Sequence, residues 1–408
     1  MKKTVLLVAT ACLLFPVLAR GDVEVKPYGF VLVNSSYSTD AMTDIPVLAP
    51  KEDTGNPNFL ITPRQTRFGL KMKSDADYTP SGVIELDFWG LRGSGSNGGP
   101  TQSAPRLRRA FLELHFGRVA LLAGQEWIVF SPLSPTSLMH TSLPGMMSSG
   151  NLWARLPQLR GTFKPIADDK NEFKIELALT RPFGGDGTMT PVSQGDVIAS
   201  GELSRVPGVQ GRFGYTMTGS MTLSIGAGGH FVREKFGVDP QGDDVIGTAY
   251  AVGGDLMVSA AKVAVSGEVF YGQNIKTLFS NATYVLDETV IIDQGGIETG
   301  RELNDVNEIK AFGGWGEIKV LPSEKWEAAV SVGIESVDDE FLSNGAVKTN
   351  LTAMGTVINK AVKGVKIGLE GGYIKTERIA DDPATTGTKE TDDGGTNLNG
   401  NLSFLFSF

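Results

Sequence analysis

Basic side chains recur at alternate positions in several apolar stretches of the chain. Arg67, Lys71 and Lys73 share one parity, opposite Phe68, Leu70 and Met72. Arg109, Glu113 and His115 oppose Ala110, Leu112, Leu114 and Phe116, and Arg160 and Lys164 oppose Leu159 and Phe163. Arg212 opposes Phe213, Tyr215 and Met217. A guanidinium is a fixed fork for carboxylates and an ammonium is a compact point charge, so this chemistry binds and sorts anions. Glu85, Asp87, Glu113, Glu172 and Glu176 fall on the same or neighbouring faces, so pairing competes with a net basic surface. Bond-making chemistry is poorly served. There are three histidines, no G-x-S-x-G elbow and no paired Cys/His ligands, and "GSGSNGG" at 93–99 lacks the Lys-Ser/Thr ending of a phosphate loop. The expectation is no enzyme, no cofactor and no metal.

The elements that carry these residues are strands. Sixteen are expected: 26–38, 60–75, 79–91, 105–116, 118–126, 155–166, 171–182, 206–218, 221–233, 245–258, 261–274, 307–321, 324–338, 347–361, 364–378 and 395–408. Most alternate apolar and polar residues, as in "VIELDFWG" and "EFKIELALT"; 118–126 alternates poorly. The terminal "NLSFLFSF" sets Leu402, Phe404, Phe406 and Phe408 against Asn401, Ser403 and Ser407, with Leu405 the one exception. Connections alternate long and short without exception, the pattern of a transmembrane barrel with long loops on one rim and tight turns on the other. The fold expected is a closed antiparallel β-barrel. Sixteen strands give a backbone diameter of roughly 30 Å, too wide for side chains alone to fill.

Residues 1–19 read as a signal peptide, with a basic "MKK", an apolar "TVLLVATACLLFPVLA" and a small-x-small site at Val17-Leu18-Ala19. The formal charge is −9, or −11 once Lys2 and Lys3 leave with the leader. That acidity argues against a nucleic-acid partner. Cys12 is the only cysteine, so residues 20–408, the expected barrel domain, contain neither disulfide nor thiolate. The acidic surplus sits largely in the long connections and reads as solvated loops, with weak divalent-cation bridges to lipopolysaccharide as the alternative.

The stretches "TPRQTRFGLKMK" (62–73), "RLRRAFLELHFGRVALLAGQEW" (106–127), "TSLPGMM", "RLPQLR" and the terminal "SFLFSF" resemble the DcaP-like outer-membrane porins. The resemblance implies a sixteen-stranded trimeric channel in the bacterial outer membrane for small, often anionic, organic solutes such as carboxylates. Some members carry an N-terminal helical coiled-coil segment; here "DVEVKPYGFVLVN" begins the first strand almost at once. Phe404, Phe406 and Phe408 resemble the signal read by the barrel assembly machinery. The long connection 127–154, which holds His140, Met146 and Met147, is apolar for an outer loop, and inward folding as a constriction is expected. The pore-lining set is then Arg67, Lys71, Lys73, Glu85, Asp87, Arg109, Glu113, His115, Arg160, Lys164 and Arg212. The alternative is a non-conducting structural or adhesive barrel.

Overall fold

Strands that alternate over ten or more residues present one apolar and one polar face, and in lipid every backbone group must also find a partner within the sheet. Closure into a barrel satisfies both demands, and the computed structural model of the chain is such a barrel. It describes residues 22–40, 45–51, 55–90, 103–182, 199–292, 298–380 and 391–408. The expected leader, the 93–99 glycine run and the acidic 381–390 stretch lie outside them.

The strands are β1 (Val23–Ser38), β2 (Asn58–Thr62), β3 (Arg67–Ser74), β4 (Ser81–Gly90), β5 (Ala104–Phe116), β6 (Val119–Trp127), β7 (Arg155–Ala167), β8 (Asn171–Thr180), β9 (Gly208–Thr218), β10 (Met221–Val238), β11 (Asp244–Ala260), β12 (Val263–Gln273), β13 (Val285–Ile292), β14 (Glu298–Asn307), β15 (Lys310–Ser323), β16 (Trp326–Val337), β17 (Val347–Val362), β18 (Val365–Ile379) and β19 (Thr391–Ser407). Each barrel strand pairs antiparallel with its neighbours, and β19 returns to β1, Phe30 opposite Ser407, to close the circuit. Seventeen strands form the closed sheet. Since β2 and β3 both pair with β1, they make one interrupted stave, and the barrel has sixteen.

Three local departures from the expected strands have physical causes. The stretch expected as one strand over 60–75 breaks between Thr62 and Arg67. Pro63 has no N–H to give the ladder; Thr66 N–H turns back to the Pro63 carbonyl at 2.9 Å, and the Thr66 hydroxyl oxygen instead accepts from Leu32 N–H at 3.2 Å. The connection expected as a plain loop over 275–306 contains the β13–β14 hairpin, a sheet of its own. The weakly alternating 118–126 is a regular strand, with Val119 and Leu121 outward and Leu122 and Glu126 inward.

The outer wall exposes Ile84, Leu112, Leu159, Phe213, Val252, Val330, Leu369 and Phe404. An apolar band of this extent is what lipid covers. Leu405, the exception in the terminal pattern, points into the barrel. There it meets Leu32 of β1, Ile358 of β17 and Leu138 of the loop between β6 and β7 in one buried cluster.

Candidate functional site

The loop between β6 and β7 is held by inward side chains of the barrel. Its anchors come from the far wall. Glu268 of β12 accepts from Ser131 Oγ at 2.6 Å and Leu133 N–H at 2.8 Å. Glu317 of β15 accepts from Thr136 N–H and Oγ at 2.6 and 2.8 Å. Glu370 of β18 accepts from Ser137 Oγ and from the N–H groups of Leu138 and Met139. These three inward carboxylates hold the "SPLSPTSLM" run (131–139) by charge-assisted bonds, the strong kind. Further on, Gly150, with φ of +99°, lies so close to the Gly314 backbone of β15 that a Cβ there would stand 2.2 Å from its carbonyl oxygen. Only glycine suits both the backbone and the approach. Asn350 of β17 donates to Ser148 O and Ser149 Oγ.

Of the residues expected to form the constriction, Met146 is buried against Trp315 and Met354, whereas His140 is only partly buried, its Nδ1 enclosed without a hydrogen-bond partner. Burial pushes the His140 imidazole down to about 4. Met146 docks the loop to the wall. Met147 is only partly buried.

Opposite this belt stands an arginine wall on β3, β5 and β7. Its centre is a bulge. Glu85 pairs with Arg109 but Leu86 pairs with Leu107, so Arg108 is the extra residue on β5. One extra residue lets two consecutive side chains point the same way. Gln125 fastens the bulge by donating to the freed carbonyls of Leu107 and Arg108 at 3.1 and 3.0 Å. Arg106, Arg108 and Arg109 therefore all turn to the lumenal carboxylates. Arg108 is fully buried, its Nε 2.8 Å from Glu85 and its Nη1 2.8 Å from Asp87. Arg106 grips Asp87 with two nitrogens, at 3.0 and 2.7 Å, and Arg109 grips Glu126. Arg67 donates to the Thr141 carbonyl at 2.5 Å and stands 3.7 Å from Glu85. Arg155 lies over the rings of Trp127 and Trp153, at 4.8 and 5.2 Å. The wall and the loop meet here. Ser142 Oγ donates to Asp87, Arg106 donates to Ser142 O, and Gln65, freed by the break in the second stave, holds Met139, Thr141 and Ser142.

The structure divides the expected pore-lining set. Arg67, Glu85, Asp87 and Arg109 gather at this wall. Arg160 and Arg212 continue it through Glu176, at 3.5 and 3.9 Å, and Arg212 also pairs with Asp255 at 2.7 Å. Lys71, Lys73, Glu113, His115 and Lys164 sit lower, at the short-turn end. There His115 stands 3.4 Å from Glu113 and Lys164 pairs with Glu172. Strict alternation missed Arg106 and Arg108, because the bulge resets the parity between Arg106 and Arg109. It also missed Arg155, at the end of β7. The signal was the consecutive pair in "RLRRAF": two adjacent arginines in an amphipathic strand imply either a lipid-facing charge or a bulge.

With this geometry in view, the likeness to solved structures is specific. The chain superposes on the outer membrane channel DcaP of Acinetobacter baumannii with a TM-score of 0.65 and 18% identity, covering 95% of this chain and 97% of that one. The fold is the DcaP-like porin fold. OmpT, an outer membrane protein of Vibrio cholerae, matches with a TM-score of 0.55, 11% identity and coverage of 96% and 100%. An anion-selective porin from Comamonas acidovorans matches with 0.54, 12%, and 95% and 100%. No protein-family model matches the chain, and no curated protein sequence does. The DcaP-like fold thus rests on barrel geometry rather than on sequence identity.

Proposed function

We propose that this protein is a passive diffusion channel of the bacterial outer membrane that favours small anionic organic solutes such as carboxylates. One observation carries the reading. Five guanidiniums at the loop-lined wall (Arg67, Arg106, Arg108, Arg109, Arg155) stand against three carboxylates (Glu85, Asp87, Glu126), a formal surplus of two positive charges. The whole chain is acidic, but its loop carboxylates are solvated and screened beyond a Debye length of about 8 Å, whereas fixed charges in a narrow, lower-dielectric passage act at close range. On the opposite wall Glu268, Glu317 and Glu370 are turned to loop N–H and hydroxyl donors, whose dipoles offset part of their field. Similar proteins described as an outer membrane channel and as an anion-selective porin support the reading.

In this account, transport needs no catalytic group. Arg67, Arg106 and Arg109 keep part of their surface open and offer N–H donors to a passing carboxylate. The loop docked on Glu268, Glu317 and Glu370 narrows the water column beside them. The protein works as a homotrimer. Outward Phe404 and Phe406 with terminal Phe408 serve barrel assembly, and the acidic loops face lipopolysaccharide. Single-channel recording tests the reading: channels with a reversal potential of anion-selective sign in asymmetric KCl are expected. Membranes that stay silent would replace it with a structural, non-conducting barrel.

A further inference from the structure

The charges are layered along the barrel axis. The long-loop end is acidic. On the β13–β14 hairpin Asp287, Glu288, Glu302 and Asp305 are acidic, and "DPQGDD" (239–244) and "DDE" (338–340) add more. The middle layer is the arginine wall, faced by Glu268, Glu317 and Glu370 bound to the loop. At the short-turn end the lumen-facing cations change from arginine to lysine. Lys71 and Lys73 follow Arg67 down β3, with the Lys71 ammonium 4.8 Å from the ring of Tyr28. Lys164 follows Arg160 down β7 and pairs with Glu172 at 2.7 Å; Lys174 of β8 lies 3.1 Å from Glu176. Lys319 of β15 and Lys366 of β18 take the inward parities of Glu317 and Glu370, and Lys319 stands 3.8 Å from Glu327. Lys164, Lys174 and Lys319 are paired with carboxylates, so the positive surplus of this layer comes from Lys71, Lys73 and Lys366 against Glu113.

We propose that this layering makes the pore a rectifier, with larger conductance when the long-loop side is electrically positive. The inference rests on the reading of the barrel as a conducting channel. The positive inner layer holds mobile anions and the negative outer layer holds mobile cations. With the loop side positive, the field drives both carriers toward the boundary between the layers, where they accumulate. With the loop side negative it draws both away, and the boundary is depleted. The effect belongs to dilute salt. The Debye length is about 30 Å at 0.01 M, comparable to the barrel, and about 3 Å at 1 M.

The test is a current–voltage curve of channels of known orientation in a planar bilayer. Cys12 is the only cysteine and lies in the expected leader, so Ser220→Cys in the tight turn after β9 can be labelled by an impermeant thiol reagent from one side. The ratio of currents at opposite voltages should exceed about 2 near 0.01 M KCl and approach unity at 1 M. Two independent sets should each flatten the dilute-salt curve: K71Q/K73Q/K164Q/K174Q, and D287N/E288Q/E302Q/D305N on the hairpin. The second set lies outside the barrel wall and spares its folding. Ohmic channels in dilute salt, a ratio of the opposite sense, or rectification that survives both sets overturns the inference while leaving the channel reading intact. Silent membranes overturn both.

Discussion

Arg108 is the residue on which wall and loop most depend, and its replacement has a calculable outcome. It is fully buried and bonds Glu85 and Asp87 at 2.8 Å each. Arg108→Met keeps the volume and removes the charge. Breaking a buried pair by removing one partner costs about 3–5 kcal/mol, because the remaining charge stays desolvated. Here Asp87 keeps Arg106 at 2.7 Å and Ser142 Oγ at 2.8 Å. Glu85 keeps the Tyr28 hydroxyl at 2.9 Å and Arg67 only at 3.7 Å. The cost therefore falls near the lower figure, about 3 kcal/mol, and arises mainly at Glu85. The double variant R108M/E85Q removes the stranded charge and restores charge balance, so it should recover most of that loss. Urea unfolding in phospholipid vesicles, read by the electrophoretic shift between folded and unfolded barrel, measures both. An R108M barrel as stable as the parent, or a double variant as weak as the single, would refute the assignment of Arg108 as the counter-charge that the buried Glu85 requires.

Other outcomes follow from the same contacts. Leu138→Ala removes the loop's side of a buried cluster with Leu32, Ile358 and Leu405, and should cost about 2–5 kcal/mol of loop docking, seen as noisier and larger single-channel currents. Gly150→Val should undock the same loop without unfolding the barrel, because the side chain meets the Gly314 backbone; channel recordings against heat-modifiability separate the two effects. His140 is neutral when buried, with its value lowered to about 4 from an ordinary 6.5, so protonation favours the undocked loop. Docking is then fully stable above about pH 6.5 and weakens as pH falls toward 4, by about 2 kcal/mol at pH 5. Current noise should rise between pH 7 and 5 in the parent but not in H140Q. Deleting Phe408 should lower the amount of folded barrel in the outer membrane, measured by heat-modifiability.

The barrel was legible because the physics that builds it is one-dimensional. The dyad period of "EFKIELALT" fixes which side faces lipid without any tertiary knowledge, and the long–short alternation of connections fixes the two rims. The apolar content of the 127–154 connection raised the expectation of an inward loop, while Leu405 read only as an exception in the alternation, and its packing against Leu138 is visible in the structure alone. What alternation could not supply was the register across the bulge. A single extra residue at Arg108 brings the neighbours of Arg109 into the lumen, and no local property of "RLRRAF" distinguishes that from a strand with one misplaced charge. The clasp of Glu268, Glu317 and Glu370 was hidden for another reason. Each reads as an ordinary lumenal carboxylate, and its partners lie more than 130 positions away in the chain. The break at Pro63 was foreshadowed by the proline itself, within a stretch that otherwise alternates well.

On the proposed reading local placement outweighs net charge: in an acidic chain the arginine wall makes the passage prefer anions. The most direct measurement is the reversal potential of single channels in asymmetric KCl at neutral pH, for the parent and for the variant with Arg67, Arg109 and Arg160 changed together to Glu. An anion-selective sign is expected in the parent, and it should shrink or invert in the variant. A parent that already prefers cations, or a variant whose selectivity does not move, would show that Glu85, Asp87 and Glu126 neutralise the wall, and would contradict the claim.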